Sequence, residues 1–248
     1  MTTASSTKAR HRVRILGVPV DRVSMEESLA RIEAMMKEDR PHVVVTVDSS
    51  GIVQAQRDLV YRRIVEEASL VTPDSEGVVW AAKRQGKPVG GRVSGVELLD
   101  RLCGFSADKG YRIFLLGAAP GVAEQAAERL RLRHPGCNIV GARHGYFPPD
   151  SDEIVAREIA AAKPDMIFVA MGIPRQEKFI HAAKAIVGAR LAMGVGGSLD
   201  VFAGKAKRAP LWVQRVRLEW LWRVANPKRW HKAKHLPVFA WRVLVSPK

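Results

Sequence analysis

The chain has 248 residues, of which 47% are hydrophobic and 26% charged, and its formal net charge is +15. That composition excludes wholesale disorder, and the length accommodates one α/β domain or one domain with an appendage. The basic excess points to an anionic partner: nucleic acid, a membrane surface or a phosphorylated ligand.

The opening MTTASSTKARHRVRILGVPV is basic, but Gly17, Pro19 and Asp21 interrupt its apolar run. It reads as a flexible arm (1–12) entering a strand rather than as a secretory leader. VRILGVPV (13–20) predicts that strand, and SMEESLARIEAMMKE (24–38) a helix with Ser24 as N-cap and Glu27 at the capping-box position. HVVVTVD (42–48) predicts a strand, a helix follows around 50–68, and LVTPDSEGVVWAAKRQG (70–86) reads as short strand, turn and helix. YRIFLLG (111–117), NIVGARHGYF (138–147), DMIFVAMG (165–172) and RLAMGVGG (190–197) predict strands, separated by helices over 121–135, 151–162 and 176–187. Apolar runs such as IFLLG and MIFVAMG suit strands buried on both faces. With helices between them, they predict an α/β, Rossmann-like core over 13–204: a mostly parallel sheet with helices on both faces.

Near 204–210 the composition shifts. Residues 205–248 hold twelve Lys and Arg against one acid, Glu219, a net +11, and five of the six tryptophans. Pro210 suits a first helical turn; Arg215, Glu219 and Arg223 would share one face, and Val213, Val216, Trp220 and Val224 another. Trp with Arg suits a lipid headgroup interface, so 205–248 is expected to be a basic, helical, membrane-associating appendage; a helix packed on the core with solvated charges is the alternative. No stretch reaches the ~18 uncharged apolar residues of a spanning helix. Cys103 and Cys137 offer neither a disulfide framework nor a metal cluster and suit a reducing cytosol.

Several strand ends carry polar groups, where open α/β sheets bind ligands. VTVDSSG and TPDSEG place Thr46, Asp48 and Asp74 at two of them; Asp74 is either a general base or the Asx residue of a turn. LLGAAPGVAEQ (115–125), with Gly117, is a phosphate-binding helix start or a tight turn. In MGIPRQEKF, Arg175, Gln176 and Glu177 sit together at the C-terminal edge of the sheet and point to a site rather than a plain polar helix start; Gln176 could read a base or sugar through its amide. In GVGGSLD, Gly194, Gly196 and Gly197 permit close approach of a ligand, while Asp200 could bind sugar hydroxyls or cap a turn. PPDSDE (148–153) mimics a D-x-D metal motif but reads as a helix cap by Asp150, Ser151 or Asp152, and the lone His144 and His181 read as structural, so no metal is expected.

Taken in order, Thr46 with Asp48, PDSEGVVWAAK, GRVSGVELLD, FLLGAAPGVAE, IVGARHGYF, MGIPRQEKFI, GVGGSLDVFAG and KRAPLWVQRVRLEWLWRVANPKRW resemble the WecG/TagA/CpsF family of bacterial glycosyltransferases, from about Val13 to about Arg242. The resemblance implies a cytosolic enzyme, peripheral on the inner face of the cell membrane. It would transfer a sugar, N-acetylmannosamine, its uronic acid or another hexose, from a UDP-sugar to an undecaprenyl-diphosphate-linked sugar. It also implies Asp74 as general base, Thr46, Asp48 and Arg92 beside it, and a substrate-binding set of Gly117, Tyr146, Gln176, Gly196, Gly197, Asp200, Arg208, Arg223 and Arg229. No cofactor is implied, and a homo-oligomer is compatible. The chain departs from the family pattern at Asp48, usually Asn, and at Asp74-Ser75-Glu76-Gly77, usually D-G-x-G; both bear on the identity of the transferred sugar. Two rival readings are disfavoured: a nucleic-acid-binding protein, for want of a recognisable module, and a Rossmann oxidoreductase, for want of the glycine fingerprint.

Overall fold

The computed structural model describes residues 12–206 and 235–246. Its centre is a six-stranded, all-parallel sheet in the order β4-β3-β8-β7-β5-β6, formed by β3 (His42–Val47), β4 (Leu70–Pro73), β5 (Ile113–Gly117), β6 (Ile139–Arg143), β7 (Met166–Ala170) and β8 (Leu191–Gly194). Successive side chains alternate between two apolar layers. Val43, Val45 and Val47 join Ile167 and Val169 on one face; Val44, Met166, Phe168 and Met193 fill the other. The first face is covered by α2 (Ser49–Ala55), α3 (Leu59–Glu67), α4 (Glu76–Arg84), α7 (Asp152–Ala161) and α8 (Arg175–Val187). The second is covered by α1 (Met25–Met35), α5 (Gly95–Lys109), α6 (Val122–Arg133) and α9 (Ser198–Phe202). The expected doubly covered parallel sheet is what forms, and α1 carries the expected capping box between Ser24 and Glu27.

Two local expectations are corrected, and one helix is added. The segment 13–20 is not one strand but an antiparallel hairpin of β1 (Arg12–Ile15) and β2 (Val18–Asp21), turned by Leu16 and Gly17 at positive φ (49° and 79°). A two-residue turn with both φ positive matches the twist of its flanking strands. The hairpin lies against the β4 edge through Asp21, a buried carboxylate that accepts from the Val71 N–H at 2.8 Å and pairs with Arg12 and Arg31 at 3.1 Å each. The helix around 50–68 is two helices, because Asp58 turns its carboxylate onto the Tyr61 N–H at 3.0 Å and starts α3 afresh. Finally, GRVSGVELLD opens the fifteen-residue α5.

A last helix, α10 (His235–Val245), returns to the core. Phe239 and Val243 are buried in the first apolar layer, and Arg84 donates to the carbonyls of Val243 (3.4 Å) and Leu244 (3.1 Å) at the helix end. Trp241, Leu244 and Val245 remain exposed. The expected helix over Arg208–Arg223 lies outside the described residues.

Candidate active site

Because all six strands are parallel, the ends of β3, β4, β5, β7 and β8 open on one edge, and the candidate residues gather there. Thr46, near the end of β3, is 5% exposed and donates its hydroxyl to the Gly194 carbonyl of β8 at 3.0 Å. Asp74 directly follows β4, its backbone N–H bonded to the Val47 carbonyl at 2.9 Å. Both side chains converge on the start of α5: a Cβ on Gly95 would lie 3.2 Å from Thr46 Oγ1 and 3.5 Å from Asp74 Oδ2. Glycine there lets the positive end of a helix dipole approach the two oxygens closely. Arg92 reaches the same corner, because the neighbouring Val93 N–H bonds the Pro73 carbonyl at 2.8 Å; its guanidinium pairs with Glu97 at 3.8 Å.

Asp48 caps α2. One carboxylate oxygen accepts from the Gly51 N–H (2.8 Å) and the Ser50 hydroxyl (2.6 Å). Ser75, at a position where the sequence departs from the family pattern, caps α4 and meets the Ser49 hydroxyl at 3.2 Å, tying the β3 and β4 loops together.

On the other side of the edge, Gly117 ends β5 with φ +132°, and a Cβ would collide with the Ala170 carbonyl at 2.3 Å. Gly145 packs on Gly117 and Met171, bringing in the loop that carries Tyr146, which is 72% exposed. Gly196 (φ +53°) and Gly197 form the turn into α9, and Asp200 lies in its first turn, with Oδ2 3.9 Å from the Gly197 Cβ position. Gln176 is inside: 1% exposed, its oxygen accepts from the N–H of Gly172 (3.2 Å) and of Gly196 (3.0 Å), and its nitrogen donates to Glu177 at 2.7 Å. Its amide therefore clasps the β7 and β8 loops together. Arg208, Arg223 and Arg229 lie outside the described residues.

PPDSDE forms the expected helix start, with Ser151 at the N-cap of α7 and Asp152 and Glu153 in its first turn. The Ser151 side chain makes no capping bond. Asp152 instead meets Arg175 through both oxygens, one contact being 2.7 Å, while that guanidinium lies over the rings of Phe147 and Phe179.

Glu177, expected with Arg175 and Gln176 among the polar groups at the C-terminal edge of the sheet, points inward instead. It is fully buried, and burial first, with the nearby Asp48 charge adding, raises its carboxyl to about 7 from an ordinary 4.5; the bond from Gln176 opposes the rise. A raised acid favours the protonated fold, so this contribution is complete below pH 4.5 and is lost as pH climbs to about 7. Denaturant titrations should show a loss on the order of 3 kcal/mol across that window in the wild type. Glu177→Gln should flatten it.

The arrangement puts a carboxylate, a hydroxyl and an arginine opposite glycine-rich turns that leave backbone open to a ligand. That is equipment for deprotonating a hydroxyl and holding an anionic leaving group. The family model described as "Glycosyl transferase WecG/TagA/CpsF family" matches residues 13–248. The chain belongs to the WecG/TagA/CpsF glycosyltransferase family. Among its relatives in this family, the N-acetylglucosaminyldiphosphoundecaprenol N-acetyl-beta-D-mannosaminyltransferase of Bacillus spizizenii (strain ATCC 23059 / NRRL B-14472 / W23) is 38% identical over 202 residues, covering 81% of this chain and 78% of the relative. The identically named proteins of Bacillus subtilis (strain 168) and Staphylococcus aureus (strain MRSA252) are 36% and 34% identical, over 83% and 94% of this chain and 80% and 92% of their own. As a WecG/TagA/CpsF member the chain is a glycosyltransferase, and no helix among its described residues is long and apolar enough to cross a membrane.

Proposed function

We propose that this glycosyltransferase moves N-acetylmannosamine, or a close hexose relative, from a UDP-sugar to an undecaprenyl-diphosphate-linked sugar, with inversion and with Asp74 as general base. The observation that carries the reading is the convergence of Asp74 and Thr46 on the first residue of α5, on the same sheet edge as the glycine turns of β5, β7 and β8. Relatives named for N-acetylmannosaminyl transfer to a lipid-linked sugar supply the substrate class.

On this reading the acceptor hydroxyl gives its proton to Asp74 as it attacks the anomeric carbon. The bond to the UDP oxygen breaks on the opposite face through an oxocarbenium-like state. Backbone N–H groups at the glycine turns, with Arg223 and Arg229 from the appendage, would meet the departing diphosphate. Tyr146 and Asp200 would hold the nucleoside, and Gly117 would keep the β5 turn open to it. Arg208 and the rest of the basic, Trp-rich tail would keep the enzyme on the anionic inner face of the membrane, where the acceptor resides. A homo-oligomer is compatible with this arrangement. The deciding test is a screen of UDP-sugars against a soluble polyprenyl-diphosphate-sugar analogue, with the product identified by mass spectrometry. Transfer of one UDP-hexosamine supports the reading, and hydrolysis or no reaction with every donor removes it.

We also propose that transfer needs no metal. Asp152, the acid a D-x-D site would use, is engaged by Arg175. Turnover should survive EDTA, and Asp152→Ala should cost about 1–3 kcal/mol of stability, as loss of a charge-assisted pair does, with little effect on rate. Abolition of turnover by EDTA and its restoration by Mg²⁺ or Mn²⁺ would sink this part.

A further inference from the structure

Among the described residues, three buried side-chain oxygens have no hydrogen-bond partner: Thr72 Oγ1 on β4, Glu177 Oε2 and the Tyr61 hydroxyl; the last two lie near Asp48. Both feel the Asp48 charge, and Tyr61 feels Glu177 directly. The other Glu177 oxygen is engaged. It takes the Gln176 amide nitrogen at 2.7 Å and lies 3.0 Å from where a Gly194 Cβ would sit. Gly172 and Gly196 both present N–H donors to Gln176, so the atom facing them must be the amide oxygen. A rotated amide would set donor against donor twice. What holds the amide in the working orientation is an acceptor at its nitrogen, and Glu177 is that acceptor.

We propose that Glu177 is a positioning residue: its buried carboxyl fixes the Gln176 amide and thereby the relative placement of the Gly172 and Gly196 turns that flank the donor site. Thr46 grips the Gly194 carbonyl in the same strand end, so the clamp and the corner holding Asp74 share β8. The identity of the donor rests on the proposed function; the clamp itself does not.

The device is sensitive to pH around neutrality. A carboxylate accepts from Gln176 more strongly than the neutral acid, and the neutral acid can instead donate to the amide oxygen, which favours the rotated form. The groups facing Glu177 are Gln176 on its own helix, Asp48 at the start of α2 and Tyr61 on α3. Beyond them the Lys178–Asp58 pair, 2.7 Å apart, closes the α3 end, and Arg175 and Asp152 are paired with each other towards α7. Asp48 is the only one of these that carries charge next to Glu177 and lacks a salt-bridge partner at the described residues. Burial, with the Asp48 charge adding, holds Glu177 in the titrating range.

Hydrogen–deuterium exchange on the full-length protein tests the clamp independently of activity, with UDP affinity as the second readout. In the wild type, protection at Gly172 and Gly196 should rise from pH 6 to pH 8 relative to the rest of the sheet, and UDP should bind more tightly. Glu177→Leu keeps bulk but removes the acceptor. It should lower protection at those two amides, and UDP affinity, on the order of tenfold while β3, β5 and β7 stay protected. Glu177→Gln restores an acceptor and should hold both readouts within about threefold of wild type, without the pH dependence. Unchanged glycine protection in Glu177→Leu, or loss spread evenly over the sheet, would overturn the proposal. If Glu177→Leu does not fold, persistence of the pH dependence in Glu177→Gln overturns it instead. A wild type with no affinity for UDP defeats the donor reading, while the glycine amides still decide the role of Glu177.

Discussion

Asp74→Asn is expected to lower turnover on the order of 10²-fold or more while UDP affinity stays within about threefold of wild type. The substitution keeps the shape of the side chain and the backbone bond from residue 74 to Val47, so the strand-end turn survives. What it removes is the basicity of an oxygen that lies, with Thr46 Oγ1, around the first residue of α5. On the proposed function the donor nucleotide binds at the glycine turns across the edge, so its affinity should be spared. Single-turnover kinetics with titrated UDP separate the two effects. Turnover near the wild-type rate would take Asp74 out of the base role and leave it as a turn residue.

Truncation after Gly204 is expected to abolish both turnover and sedimentation with anionic liposomes. The deleted stretch carries net +11, and each basic residue near an anionic surface contributes about 1 kcal/mol, attenuated by salt. The deletion also removes α10, whose Phe239 and Val243 close one apolar layer. Phe239→Ala therefore serves as the control for packing: it should destabilise by about 3–5 kcal/mol and leave liposome binding intact. Arg223→Ala should depress turnover with most liposome binding retained, since many other cations remain. A truncated protein that works at full rate on a soluble acceptor would confine the tail to anchoring.

The sheet was legible because its strands are buried on both faces and so appear as unbroken apolar runs; IFLLG and MIFVA are β5 and β7 almost to the residue. The errors have local causes. A leucine at positive φ carries no sequence mark, so Leu16 hid the hairpin. Asp58 hid the break between α2 and α3 because an acid within a helical pattern passes for a surface residue. Helix α5 could have been found from Leu98, Leu99, Leu102 and Cys103, which form a buried stripe at helical spacing after Ser94-Gly95-Val96-Glu97.

At the site, the oxygens and glycines of the strand ends were readable because parallel strands deliver their ends to one edge. Their partners were not: Thr46 meets Gly194 across 148 residues. The burial of Glu177 was equally invisible, since nothing in the sequence separates it from Arg175 and Lys178, the partly buried charged residues beside it on α8.

The position of β8 bears on how the protein is made. The strand lies between β3 and β7, yet it is the last of the six to leave the ribosome. At roughly 5–20 residues per second, the stretch from His42 to Leu191 takes on the order of 10–30 s to synthesise. Over that interval β3 presents a bare inner edge, joined near its end by that of β7 (Met166–Ala170), the kind of surface on which nascent chains aggregate. When β8 enters, it seals both edges and in the same movement brings Gly194 to Thr46 and Gly196 to Gln176. Quality control that recognises open strand edges would thus also hold back every copy whose active site is unfinished.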